Sequence, residues 1–203
     1  MNKDDEQVMV FPHCGLPRLG TFPGFSTSIE TWTTFVCDVL PNARFMRRGD
    51  VEDDPTMQQI IPYVVCRWHD QVLVYNRGAK GGEKRLADKW SIGIGGHINL
   101  EDHRKGLVGT IRSAAYRELA EELGPVSVPP ALHYLGFLKT EANLVDQVHS
   151  GVVFEAFFNT RIVFKGSEEI ERHAWVPLEE LKDYNLELWS EVLRDHLIEE
   201  TGA

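Results

Sequence analysis

The chain has 203 residues, 42% of them hydrophobic and 26% charged, which suits one sizeable soluble domain or one domain with an extension. Its formal net charge of -10 excludes a general nucleic-acid binder, whose affinity comes from neutralising phosphates with Lys and Arg. Cys14, Cys37 and Cys66 form no C-x-x-C pair, which argues against a disulfide framework or a structural zinc site and for reduced thiols in a cytoplasmic protein. The charged start, Met1 to Glu6, leads into no long apolar segment, so neither a secretory signal nor a membrane span is expected.

In chain order, Gln7 to Phe11 predicts a short strand, followed by a turn-rich passage through Pro12, Gly15, Pro17, Gly20, Pro23 and Gly24. Ile29, Trp32, Phe35, Val36 and Leu40 recur on a helical period, with Ser26, Thr27 or Ser28 as the cap and Pro41 as the stop. Arg47 to Pro55 is charged and turn-prone, and reads as a solvated loop. It marks the boundary between an N-terminal extension, residues 1–56, and a main domain, residues 57–203. The extension's apolar content predicts a packing element or a homodimer contact rather than a site.

From Met57 the pattern turns to strands. Tyr63 to Trp68 and Gln71 to Tyr75 flank a tight turn at His69-Asp70, with Pro62 expected only at a strand start or on an edge. A loop from Arg77 to Lys89 precedes a short strand, Trp90 to Ile94, and then Gly95-Gly96. Thr110 to Leu123 predicts a helix, Leu132 to Thr140 and Val152 to Phe158 strands, and Arg161 to Phe164 a further one. Ala174 to Val176 ends at Pro177, and helices follow at Leu178 to Leu181 and Leu186 to Glu199. Strands with interspersed helices predict an α/β layered domain.

The helix ending in Arg117-Glu118-Leu119-Ala120-Glu121-Glu122-Leu123-Gly124 holds the chemistry. Glu118 and Glu122 lie i,i+4 and Glu118 and Glu121 i,i+3, so the three carboxylates share one face beside an apolar stripe of Ile111, Ala115, Leu119 and Leu123. Three like charges so close repel. A hard cation such as Mg²⁺ or Mn²⁺ removes the penalty, neutralises phosphate oxygens and polarises water. Gly93, Gly95 and Gly96 would free the backbone to approach a metal or phosphate.

These residues resemble the box of the Nudix hydrolases, G-x5-E-x7-R-E-U-x-E-E-x-G-U with U a bulky apolar residue. Gly96, Arg117, Glu118, Leu119, Glu121, Glu122 and Gly124 match it. Arg117 stands 21 positions after Gly96 where the family has 14, an insertion of seven. The family's first Glu is missing in register with Arg117, where Gly109 stands; counted from Gly96 the position holds Asp102, with Glu101 beside it. The last box position is Pro125. Trp175 to Leu181 also looks like the segment that follows the last strand in Nudix domains.

The resemblance implies a Nudix-type α/β/α sandwich with a mixed sheet. It implies metal binding by Glu118, Glu121, Glu122 and the Gly96 carbonyl, with one of the three carboxylates as catalytic base. Arg117 would orient the carboxylates rather than touch substrate. The expected activity is metal-dependent hydrolysis of a diphosphate linkage in a nucleoside-diphosphate-X substrate. The alternatives are a non-catalytic nucleotide-binding or sensor domain on the same fold, and prenyl diphosphate isomerisation. The latter needs a positioned Cys, and Cys66 on a strand is a poor one.

Other residues carry paired readings. Lys80, Lys84 and Arg85 lie in a loop that either covers the substrate's diphosphate or is merely solvated. Glu155, inside an apolar strand, either supports the metal or forms a structural salt bridge. Glu141, Asp146 and His149 read as surface-loop charges, with an extra base as the sharper reading; His97 reads as a local hydrogen-bonding residue.

Overall fold

The computed structural model describes residues 2–20, 22, 24–77, 89–124, 129–161 and 170–201. Lys80, Lys84, Arg85 and the strand expected at Arg161 to Phe164 lie outside or at the edge of the described residues. The architecture is mixed α/β with a mixed sheet. Among the described residues the hydrogen-bonded strand order is β10-β5-β4-β9-β8-β2, with β1 on β4, β3 on β1, β6 on β5 and β7 on β4. The strands are β1 Gln7–Pro12, β2 Phe25–Ser26, β3 Arg44–Arg47, β4 Met57–Trp68, β5 Gln71–Arg77, β6 Trp90–Ser91, β7 Gly93–Gly95, β8 Leu132–Leu138, β9 His149–Phe157 and β10 Ile170–Pro177. The helices are α1 Ile29–Thr34, α2 Arg48–Val51, α3 Leu107–Leu123, α4 Leu144–Val148 and α5 Leu188–Thr201.

The chain divides into two compact units that do not follow chain order. The first gathers Met1–Tyr63, Gly95–Arg117 and Tyr134–Val153; the second gathers Val64–Ile94, Glu118–His133 and Phe154–Ala203.

In the first unit β1 pairs antiparallel with β3 from Gln7↔Arg47 to Val10↔Arg44, and with β4 from Val10↔Gln59 to Pro12↔Met57. Val8, Val10, Val51 and Met57 are buried together, with Met46 against them. That packing overturns the expectation of a solvated loop at Arg47 to Pro55. Val51 is a core residue, and the surrounding charges are paired: Arg47 Nε lies 3.0 Å from Asp5, and Arg48 Nε 3.1 Å from Glu52. Strand β3 was not legible because its four residues alternate poorly; β1 selects it by pairing. Ser28 is the cap of α1, its hydroxyl accepting from the Glu30 N–H. The helix gives way after Thr34 to a wider turn and then a tight one that holds Pro41. Phe35 is fully buried against Phe11 and Phe137.

The second unit is built on β10, which pairs with β5 from Arg172↔Asn76 to Pro177↔Gln71, and on β5 with the end of β4 at Arg67↔Val72 and Trp68↔Gln71. His69 turns the hairpin at φ 53, a left-handed conformation that His tolerates better than branched residues. Leu193 and Leu197 of α5 are buried, and the Ser190 hydroxyl accepts from the Ile92 N–H.

Pro62 is buried in the middle of a twelve-residue strand that has β5 and β9 as neighbours in the sheet order, neither at a strand start nor on an edge strand as expected. The strand exchanges neighbours around it: the pairing with β1 ends at Gln59, and that with β5 begins at Arg67. Its missing N–H therefore falls outside both of these ladders.

Candidate active site

Helix α3 begins at Leu107, three residues earlier than its apolar period suggested. Gly106 turns the chain into it at φ 86, and the Thr110 hydroxyl accepts from the Arg104 N–H at 3.0 Å. Gly124, at φ 78, ends it in the left-handed conformation that closes many helices. Ile111, Ala114, Ala115, Leu119 and Leu123 are buried along one side. The three carboxylates have different surroundings: Glu118 is half-buried, Glu121 exposed and Glu122 8% exposed.

The doubtful half of the motif resolves at Arg117. Its Nε donates to Asp102 Oδ1 at 3.0 Å and its Nη2 to Oδ2 at 2.9 Å, a fork-to-fork pair. The side chain of Asp102 is 3% exposed, whereas that of Glu101 is 71% exposed with its oxygen 3.8 Å from Arg117 Nε. Asp102 also accepts from the Asn99 N–H at 2.8 Å. Counted forward from Gly96, the extra seven residues fall after it. The stretch between Asp102 and Arg117 holds the turn at Gly106 and the start of α3. Arg117 Nη2 donates as well to the His97 carbonyl at 2.7 Å, which ties the helix to the loop after the glycines.

The glycines act differently from expectation. Positive φ among the described glycines occurs at Gly20, Gly24, Gly106 and Gly124, not at Gly93, Gly95 or Gly96. Gly95 is required by crowding: a Cβ there would sit 2.8 Å from the Pro62 carbonyl oxygen and 3.0 Å from Tyr63 Cδ2. Strand β1 props the same loop, its Met9 N–H donating to the Ile98 carbonyl at 2.9 Å.

Asp146 and His149 are buried, not surface charges. Asp146 closes the N-cap of α4 with Asn143, whose Nδ2 donates to it at 2.7 Å. His149 stands at the start of β9 with Nδ1 2.7 Å from the Val145 carbonyl and Nε2 3.3 Å from His97 Nε2. Burial pushes the pKa of both rings down, and Arg48 adds to it in each. Lys139 Nζ donates to the carbonyls of Asp146 and His149, and burial holds its pKa down at about 8.

Glu155 lies 3.0 Å from Arg67 Nη1, and both side chains are mostly buried. Cys66 is buried and burial pushes its thiol far up, which removes the positioned cysteine that an isomerase would need. No described helix is long and apolar enough to cross a membrane.

For a divalent cation the donor chemistry of α3 fits, since hard cations take carboxylate oxygens. Among the described residues, however, no three His, Cys, Asp or Glu side chains are drawn together as one metal shell. The positions of Glu118, Glu121 and Glu122 therefore give a donor set and not a formed site.

A glycine strand, a carboxylate helix and a mixed α/β scaffold define a pyrophosphohydrolase of the Nudix type. Residues 58–197 match the NUDIX domain, and the chain belongs to that family. It is 34% identical over 206 residues to Protein YmaB of Bacillus subtilis (strain 168), covering 97% of this chain and all of that protein. The crystal structure of the Nudix-type protein Tm1382 superposes with a TM-score of 0.78 at 26% identity, over 96% of this chain and 99% of that one. The NUDIX domain of Shewanella oneidensis NrtR, solved with ADP ribose, gives 0.56 at 19% identity over 71% of this chain and 88% of its own, a likeness of fold.

Proposed function

We propose that the chain hydrolyses a diphosphate linkage in a nucleoside-diphosphate-X type substrate with Mg²⁺ or Mn²⁺. The observation that carries this is the unbroken run from Arg117 to Gly124 on α3, with its three carboxylates at i,i+3 and i,i+4 spacing. Following the family resemblance, Glu118, Glu121, Glu122 and the Gly96 carbonyl would hold the cation, and one of the carboxylates would accept the proton of the attacking water. The bound cation would supply charge neutralisation on the diphosphate. Arg117 positions rather than contacts substrate, and Glu155 supports the strand beneath through Arg67. Lys80, Lys84 and Arg85 are proposed to bind the diphosphate.

A non-catalytic nucleotide-binding domain is the reading that the missing first Glu of the box and the insertion of seven would favour. Asp102 paired to Arg117 weakens the first of these grounds. The start of the family match at residue 58 supports residues 1–56 as an extension to a Nudix-like domain at 57–203. A cytoplasmic location and a homodimer through the extension are part of the same proposal. Sedimentation of the full chain as a monomer would remove the dimer.

The decisive experiment is a panel of nucleoside triphosphates, dinucleoside polyphosphates, nucleotide sugars and ADP-ribose with Mg²⁺ or Mn²⁺, read by released phosphate, pyrophosphate and nucleotide. Turnover abolished by Glu121→Gln or Glu122→Gln supports the hydrolase. Tight nucleotide binding without turnover across the panel supports the binding domain instead.

A further inference from the structure

We propose that a surface cleft in the N-terminal extension binds a small zwitterion of the amino-acid class, with its carboxylate on Arg18 and its ammonium on Asp38. The site does not depend on the hydrolase reading, since every residue it uses lies within Met1–Tyr63 of the first unit.

The cleft has a volume of about 130 Å³ and opens between the tight turn His13–Leu19 and the segment from Phe35 to Asn42. Cys14, Gly15 and Arg18 line it from the first wall, and Asp38, Val39 and Asn42 from the second. Gly15 lets the walls approach: a Cβ there would stand 3.0 Å from Val39 Cγ1. Both walls are anchored on the core. Phe11 and Phe35, each fully buried, meet edge to face at 6.1 Å, and the Thr31 hydroxyl donates to the Leu19 carbonyl at 3.3 Å. A cleft held in shape from beneath loses little freedom when a ligand enters.

Arg18 and Asp38 carry opposite charges on one cleft, yet neither forms an ion pair with the other or with any described residue. Among the described residues they are the only charged ones that line it. A lone anion drawn to Arg18 meets Asp38, and a lone cation drawn to Asp38 meets Arg18. A ligand that carries both charges is attracted at each end. Arg18 offers a planar fork that matches a carboxylate, and Asp38 accepts the N–H bonds of an ammonium. Asn42 adds an acceptor. Its Nδ2 donates to the Asp38 carbonyl at 3.0 Å, which leaves Oδ1 as the amide atom for a ligand's N–H. The volume admits up to about eight non-hydrogen atoms, judged against a cavity of about 150 Å³ that takes benzene. Glycine, alanine and serine are of that size; a nucleotide is not. Arg18, Asp38 and Asn42 are exposed, so the entrance is open and each contact is weak, with an expected Kd on the order of 1 mM.

The test uses the full chain and two readouts. Backbone amides of Gly15, Arg18, Val39 and Asn42 are followed in ¹H–¹⁵N spectra during titration with glycine, alanine, serine, acetate and methylamine, each to about 50 times the expected Kd. The amino acids should shift these amides and saturate; acetate and methylamine should not saturate. Alkylation by a maleimide is then followed at Cys14 and Cys37, both exposed, while Cys66 is buried. Saturating glycine should slow Cys14, which lines the cleft, and leave Cys37 at its free rate. Arg18→Gln and Asp38→Asn should each weaken binding about threefold to fivefold without moving the thermal midpoint, since neither side chain is buried or paired. Saturation by acetate as readily as by glycine makes the cleft an anion site and overturns the proposal. Amino acids that do not saturate, equal protection of both thiols, or an affinity unmoved by both substitutions overturn it as well.

Discussion

Arg117 and Asp102 meet through two parallel hydrogen bonds, 3.0 and 2.9 Å long, although 15 positions separate them. Asp102 is almost wholly buried and Arg117 mostly so. Breaking such a buried pair takes from the remaining charge its main compensation, which costs about 3–5 kcal/mol. Asp102→Ala is therefore expected to lower stability by about that amount, whereas Glu101→Gln changes it by less than about 0.5 kcal/mol. Urea unfolding of both variants checks this; equal effects would return the role to Glu101.

Arg67 and Glu155 present the same physics on a strand. Glu155→Gln is expected to cost about 3 kcal/mol of stability because Arg67 stays buried without its counter-charge. The double variant Arg67→Met with Glu155→Gln should lose less than the sum of the singles. Strict additivity in thermal unfolding would show that the pair is not coupled, and would favour a direct metal role for Glu155.

Acid pH should weaken the fold through the histidine pair. His97 and His149 have pKa values below their ordinary 6.5 in the folded chain, chiefly from burial. The unfolded chain therefore binds more protons than the folded one once pH falls through 6.5, and stability drops with it. Above pH 7.5 this contribution is flat. Urea midpoints measured from pH 5 to 8 should slope downward into acid for the natural chain, and less steeply for His149→Gln. Parallel slopes would count against the assignment.

Gly95→Ala should destabilise the glycine loop by about 1–3 kcal/mol, since the new methyl meets the Pro62 carbonyl at 2.8 Å. Activity on whichever diphosphate the chain cleaves should fall with it. Gly106→Ala tests a different cause, because nothing lies within 4 Å there but φ is 86. Its cost is that of a left-handed alanine, about 1 kcal/mol, read by thermal unfolding.

Local spacing determined much of the chain. The i,i+3 and i,i+4 carboxylates, the apolar stripe of α3, a cap among Ser26, Thr27 and Ser28, and the hairpin at His69 are legible because helical and strand periods are set by neighbours in sequence. So is the family, through the residues from Arg117 to Gly124. Sequence alone left Glu101 and Asp102 as equals, adjacent and chemically alike; the fold decides between them by which carboxylate points inward at Arg117. It also places His149 beside His97 across 52 positions, a pairing with no local signal. The same holds for Val51, which converts a charged run from loop to core, and for Gly95, whose need comes from Pro62 and not from its own φ. Each of these depends on a partner distant in the chain. Only tertiary packing brings such partners close enough for charge, hydrogen bonding or steric exclusion to act.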